Sequence, residues 1–196
     1  MVFMLEHLIQ LIILFFVIFD PFASSVVFLS ATKKMKFLEK RRIAILAIII
    51  AAVLSYAFLI FGESILTLFN TSLNDFRVAG GVILGILGVK MALGQSLTDT
   101  SKLKGSSAKA LASIIATPLL TGPAAITAII ITSSDYGLFL TGLSVGIVLL
   151  IALALLLVSS WFVKRAGETS IQVISTIMGM ITLAWGIMFI KAGLGL

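Results

Sequence analysis

Asp20 is the one acid deep inside a long apolar run of this sequence, and it stands directly before Pro21. An ionised aspartate near the centre of a bilayer costs about 2.5–3.5 kcal/mol even on insertion-based scales. It must face a polar cavity, carry a proton or pair, and no Lys or Arg is expected at its depth. Two roles fit. As an N-cap it would accept backbone N–H bonds from a half-helix that starts at Pro21. As a ligand group it would touch a substrate or ion directly, and a buried cap beside a cavity could do both.

The three prolines of the chain, Pro21, Pro118 and Pro123, all fall inside apolar segments. Each removes a backbone donor and disfavours the helix before it. The groups freed in this way need partners that lipid does not offer. Ser24, Ser25, Thr117, Thr121 and Thr127 stand beside the prolines and can supply them. One reading is a pair of simple kinks. The other is a pair of discontinuous helices whose ends point at a central ligand. On the second reading the candidate substrate-binding residues are Asp20, Pro21, Ser24, Ser25, Thr117, Pro118, Thr121, Gly122 and Pro123.

The rest of the chain is poor in catalytic groups. Its single histidine is His7, and it has no cysteine. H-E-x-x-H, a phosphate-binding G-x-x-x-x-G-K-[ST] and a nucleophile–base–orienter set are all missing. The expectation is a protein that is not an enzyme and uses no metal or cofactor.

The elements that must position these residues are membrane helices. Of 196 residues, 60% are hydrophobic and 11% charged, against about 25% charged in soluble domains. The mean hydropathy is +1.24. This excludes a soluble enzyme or a nucleic-acid-binding domain, in spite of the net charge of +6. A span needs roughly 20 apolar residues. Six segments qualify: about 4–31, 43–61, 76–93, 110–132, 138–161 and 171–190. The first is not a signal peptide, because its start holds Glu6 and no Lys or Arg.

Twelve of the fourteen Lys and Arg residues fall in three connections, at 33–42, 90–109 and 164–165. The positive-inside rule puts these in the cytoplasm and both termini outside. The 33–42 loop also suits a lipid-headgroup or partner patch. Trp161 fits an interfacial anchor, and Trp185 fits packing within its span.

The two halves of the chain look alike. Pro21 and Pro118 are 97 residues apart, while Gly80/Gly179 and Gly94/Gly193 are each 99 apart. Three spans per half make the halves antiparallel, the inverted repeat common in secondary transporters. The expected organisation is a first repeat at 1–94, a cytoplasmic linker at 95–109 and an inverted repeat at 110–196, together one all-α membrane domain with broken first and fourth helices. Gly81-x3-Gly85, Gly142-x3-Gly146, Ser175-x3-Gly179 and Thr182-x3-Gly186 let helix backbones approach. They serve packing within the bundle or, alternatively, a homo-oligomer face.

The string Asp20-Pro21-x-x-Ser24, followed in the second half by Thr117-Pro118-Leu119-Leu120-Thr121-Gly122-Pro123-x-Ala125-Ile126, resembles the MarC family of six-span membrane proteins. The likeness covers essentially the whole chain, including Arg77-Val78-Ala79-Gly80-Gly81. The resemblance implies a transporter of small neutral amino acids in a cell inner or plasma membrane. The family pattern D-P-x-G-N-x-P is departed from at Ala23, Ser24 and Val26. Serine keeps a hydroxyl but lacks the amide donors of asparagine. The function read from the sequence is therefore a secondary transporter or exporter of a small polar metabolite, its site lying between the two broken helices. A channel for a small ion or neutral solute and a non-transporting membrane scaffold are the alternatives.

The charge split predicts that cysteines introduced at Lys36, Ser101 and Gly167 react only from the cytoplasm, and those at Asn70 and Ser134 only from outside. Impermeant-thiol labelling of cells checks this. Lys36 and Ser101 found on opposite sides would overturn the six-span topology.

Overall fold

The computed structural model describes residues 2–33, 35–95 and 108–196. Lys34 and most of the expected linker, with Lys102 and Lys104, lie outside the described residues. The described chain is helical, and no strand occurs in it. Its elements are α1 (Val2–Phe19), α2 (Pro21–Thr32), α3 (Phe37–Leu68), α4 (Leu73–Ala92), α5 (Ala108–Ile114), a π-helical turn (Ile115–Leu120), α6 (Pro123–Tyr136), α7 (Leu138–Ala166) and α8 (Glu168–Gly193).

Among the described residues four stretches are long and apolar enough to cross a membrane: Met4–Thr32, which joins α1 and α2, then α3, α7, and Thr169–Gly193 of α8. Six were expected, and the two shortfalls have separate causes. α4 runs for 20 residues but carries Asp75, Arg77 and Lys90. The segment from 108 to 136 is divided by the π turn into helices of 7 and 14 residues.

α3 and α7 are antiparallel. The Tyr56 hydroxyl of α3 donates to the Gly142 carbonyl near the start of α7 at 2.9 Å, while Phe37 and Lys40 meet Ser160 and Trp161 near its end. α6 sits in the middle of the bundle. Between Ala124 and Ser133 only Ile126 is not buried, the pattern of a helix covered all round. The core joins α1, α3, α6 and α7 through Phe15, Ala47, Ile129 and Leu156. Trp185 packs on it, half-buried, and Trp161 is 66% exposed.

The closest approach is between α4 and α8. A Cβ at Gly88 would lie 2.6 Å from the Gly179 carbonyl oxygen, and one at Gly81 would lie 2.5 Å from that of Gly186. At the far end, a Cβ at Gly193 would lie 2.6 Å from the carbonyl of Asn74. Each step of seven along α4 thus meets a step of seven back along α8. A sustained seven-residue spacing keeps one seam in register between two helices. The small-residue pairs of these two helices serve packing inside the bundle.

The same contacts separate two glycines that the sequence pairs at 99 residues. Gly80 and Gly179 do not share an environment: Gly80 faces Thr127 of α6, and Gly179 faces Gly88 and Ala92 of α4. The glycine contacts interchange when Gly81 is matched with Gly179 and Gly88 with Gly186, positions 98 residues apart.

The two ends of the bundle differ in charge. At one, Arg77 pairs with Asp135, and the rings of His7 and Tyr136 lie 5.1 Å apart. At the other, Lys33, Lys40 and Lys164 surround one cavity.

Alanine at Gly88 or Gly179 has no room beside backbone. Overpacking of this kind costs about 1–3 kcal/mol. Either substitution is expected to lower the thermal midpoint in detergent by several degrees. Gly85 is the internal control, because a Cβ there meets only the Leu183 side chain at 3.8 Å. Gly85→Ala should be neutral or slightly stabilising through its effect on the unfolded chain. Equal loss at all three positions would mean that close backbone contact does not hold this seam.

Candidate functional site

The first break is a single residue. Pro21 disfavours right-handed helical geometry at the residue before it. Asp20 instead takes φ 37° and ψ 68°, a left-handed conformation tolerated by Asp better than by most side chains. α2 then begins with Pro21 at its first position, where no N–H is needed. The Asp20 carboxylate accepts the Ala23 N–H at 3.1 Å through Oδ1, so the capping role is present.

That carboxylate also receives a bond from across the bundle. Ser175 Oγ of α8 donates to the same Oδ1 at 3.3 Å. Asp20 is 2% exposed, and its second oxygen, Oδ2, is buried without a partner. Among the described residues the only other buried side-chain atom in that condition is Thr141 Oγ1. No Lys or Arg pairs with Asp20; the ion pair of the described residues is Arg77–Asp135. A buried carboxylate with one satisfied and one bare oxygen is costly, and such a group is a common mark of a functional position.

Ser24 and Ser25, both buried, are turned to the broken backbone. Ser24 Oγ donates to the Phe19 carbonyl at 3.4 Å and Ser25 Oγ to the Pro21 carbonyl at 2.7 Å. The Phe19 carbonyl ends α1 and is left by the interruption without its full helical partner, while the Ser25 bond is a back-bond to the residue four before it.

The second break is longer. Residues 115–120 form the π turn, which ends when the Thr121 N–H bonds the Ala116 carbonyl five residues back at 2.7 Å. A π turn absorbs an irregularity inside a helix, and Pro118 has no N–H to offer the residue four back. α6 then restarts with Gly122 as N-cap and Pro123 at its first position. Thr127 Oγ1 donates to the Pro123 carbonyl at 2.9 Å.

The two restarts are alike. In each, a proline opens the outgoing half-helix and a hydroxyl four residues on bonds its carbonyl. In this local pattern Pro123 resembles Pro21 more than does Pro118, which lies 97 residues from it. The counterpart of Asp20 is then Gly122, which has no capping side chain. The sequence comparison missed this because the π turn inserts extra residues before the restart.

The candidate residues divide accordingly. Asp20, Pro21, Ser24, Ser25 and Thr121 are buried, Gly122 is half-buried, and Thr117 and Pro123 are exposed. The π turn packs against both α1 and α2, so the two interruptions meet inside the bundle. Thr121 turns to α3, where its Oγ1 lies 3.5 Å from Ser55 Oγ and 3.3 Å from the Ala51 carbonyl. Ser175 and Ser55 were not among the residues expected at the site. Both are buried serines in apolar helices, which the sequence marks only as small residues suited to packing.

The sequence matches the family described as MarC family integral membrane protein over residues 5–195. It is similar to a UPF0056 membrane protein of Buchnera aphidicola subsp. Baizongia pistaciae, 33% identical over 91% of this chain and 88% of the relative. The UPF0056 membrane protein MJ1677 of Methanocaldococcus jannaschii is 32% identical over 91% of both chains. The UPF0056 membrane protein YhcE of Escherichia coli K12 is 30% identical over 91% of this chain and 87% of its own. No solved structure matches. With a family match from residue 5 to residue 195 and relatives of this kind across most of its length, the chain belongs to the MarC family of integral membrane proteins.

Proposed function

We propose that this protein is a secondary transporter of a small zwitterion, with small neutral amino acids as the substrate class, and that the two interrupted helices hold the substrate. The observation that carries the reading is the meeting of two broken helices beside a buried carboxylate with a bare oxygen. Discontinuous helices near the midplane are the usual binding device of secondary transporters. Their chemistry here is unequal in a useful way. Asp20 Oδ2 suits an ammonium group. The uncapped start of α6 offers amides at Ala124 and Ala125, both buried, and a helix N-terminus favours a carboxylate. Thr121 adds a neutral hydroxyl.

The reading requires six spans in two inverted halves. Two observations support it. α4 lies along α8 from Asn74 beside Gly193 to Gly94 beside Gln172, twenty residues or about 30 Å at 1.5 Å per residue. α4 and α8 are antiparallel, as are α3 and α7, and inverted repeats make corresponding helices antiparallel. Orientation with both termini outside rests on the charge split and the positive-inside rule. The burial of Asp20, Ser24 and Thr121 favours a transporter in an occluded state over a continuously open pore.

Purified protein in liposomes, loaded with one unlabelled amino acid and offered the same one labelled outside, tests this by counterflow. Saturable exchange is expected for small neutral amino acids. Asp20→Asn keeps the acceptor for Ala23 and Ser175 but loses the charge. It should abolish most exchange with little loss of thermal stability. Thr121→Val should weaken apparent affinity by about 0.5–1.5 kcal/mol, a roughly two- to twelvefold rise in half-saturation. If Asp20 is a cap and nothing more, Asp20→Asn transports normally and only Asp20→Ala lowers stability, by about 0.5–2 kcal/mol. Normal exchange in both Asp20→Asn and Thr121→Val would remove the site.

A further inference from the structure

Two cavities at the basic end of the bundle adjoin each other, with Lys40 and Ser160 lining both. The first, about 350 Å³, lies between the end of α2, the start of α3 and the end of α7, and Ser30, Lys33, Lys40, Ser160 and Lys164 supply its polar lining. The second, about 480 Å³, shares Lys40 and Ser160 with the first and runs along α7. Phe28, Phe37, Leu156, Leu157 and Trp161 line it, with Arg41 at its rim.

The charge of this place is unbalanced. Among the described residues, none of the side chains of Lys33, Lys40, Arg41 and Lys164 makes an ion pair or hydrogen bond, and no acid lines either cavity. The nearest acid in sequence, Glu39, is occupied at 3.0 Å by the Lys36 N–H at the start of α3. Lysines at the ends of three helices that converge in this way repel one another unless an anion lies between them. The adjoining groove is apolar and open along the exposed faces of Leu157, Val158 and Trp161, and Phe37 is 68% exposed beside it. A basic pocket at the membrane surface joined to an apolar groove matches a molecule with an anionic head and a hydrocarbon tail.

We infer that this junction of α2, α3 and α7 is a binding site for an anionic phospholipid. Its phosphate sits among Lys33, Lys40 and Lys164, with Ser30 and Ser160 as hydroxyl donors, and one acyl chain lies in the groove against Phe28 and Leu156. The site is separate from the two breaks and does not depend on transport. Because the lipid would bridge α2 to α7 and α3, its binding holds the outgoing half of the first broken helix to the bundle.

The test uses the full-length protein in neutral detergent, with lipid added stepwise and bound lipid counted by native mass spectrometry. Phosphatidylglycerol is expected to bind at one strong site, and phosphatidylcholine of the same chains at least tenfold more weakly, on the order expected for the missing net charge. Lys40→Gln with Lys164→Gln should weaken phosphatidylglycerol by about thirtyfold, about fivefold for each lysine near the head group. Lys40→Arg with Lys164→Arg should keep the binding. Lys90→Gln with Lys191→Gln removes the same charge elsewhere and should leave it unchanged. Equal losses in the two glutamine pairs would reduce the effect to overall charge and overturn the site. So would inorganic phosphate or glycerophosphoglycerol, at the same concentration, displacing the lipid, because the groove would then contribute nothing.

Discussion

Interrupting a helix inside a medium that cannot hydrogen-bond is the constraint on which this structure turns. Each interruption frees backbone carbonyls and amides, and every one left bare in hydrocarbon costs several kcal/mol. The chain solves this locally first. Ser24 turns its hydroxyl to the Phe19 carbonyl before the first break, and the Asp20 carboxylate accepts the Ala23 N–H after it. It then solves it across the bundle, where Ser175 of α8 reaches Asp20, and Thr121 reaches Ser55 and Ala51 of α3. Each break is thereby tied to a helix of the other half of the chain. The interruptions are not tolerated defects; they are the points at which the two halves are joined by polar contacts.

Those contacts need α8 to sit at a fixed height, and the α4–α8 seam sets it. With Gly88 on Gly179 and Gly81 on Gly186, the two backbones touch, and a slip of one residue would bring side chains where only glycine fits. Ser175 is one turn from Gly179, so the seam that fixes the glycine also fixes the donor that reaches Asp20. Packing and polar satisfaction are therefore one problem here. In an apolar solvent there is little hydrophobic drive to press α4 onto α8, and dispersion at short range over many atoms has to replace it.

Much of this was legible in the sequence, because it follows from single residues with strong local rules. Asp20 before Pro21 reads as a cap, and the carboxylate does cap α2. Two proline-bearing apolar runs read as broken helices, and the chain is interrupted at both places. What the sequence did not disclose depends on contacts between distant segments or on inserted residues. Ser175 is 155 positions from the carboxylate it serves, and nothing in its own surroundings marks it. The seven-residue seam was hidden by reading glycines in pairs four apart. The register of the second break was displaced by the π turn, which aligns Pro118 in sequence while Pro123 performs the role in space. The charges of α4, Asp75 and Arg77 near its start and Lys90 near its end, are what set it apart from the four long apolar stretches.

The two breaks end as chemical opposites built from the same parts. Both restart with proline and a hydroxyl bond four residues later, yet one restart is headed by a carboxylate in left-handed geometry and the other by a glycine with no side chain to cap it. On the proposed reading, the first presents a carboxylate at its helix start, while the second presents a bare positive helix end. A pair of half-helices related by exact symmetry would present the same sign twice and would repel one end of any zwitterion. Breaking the symmetry at one position, Asp20 against Gly122, leaves the packing of the restarts alike and gives the space between them a polarity. On the proposed reading, that polarity is what distinguishes an amino acid from a simple cation or anion, because only a ligand carrying both charges at short range satisfies both ends at once.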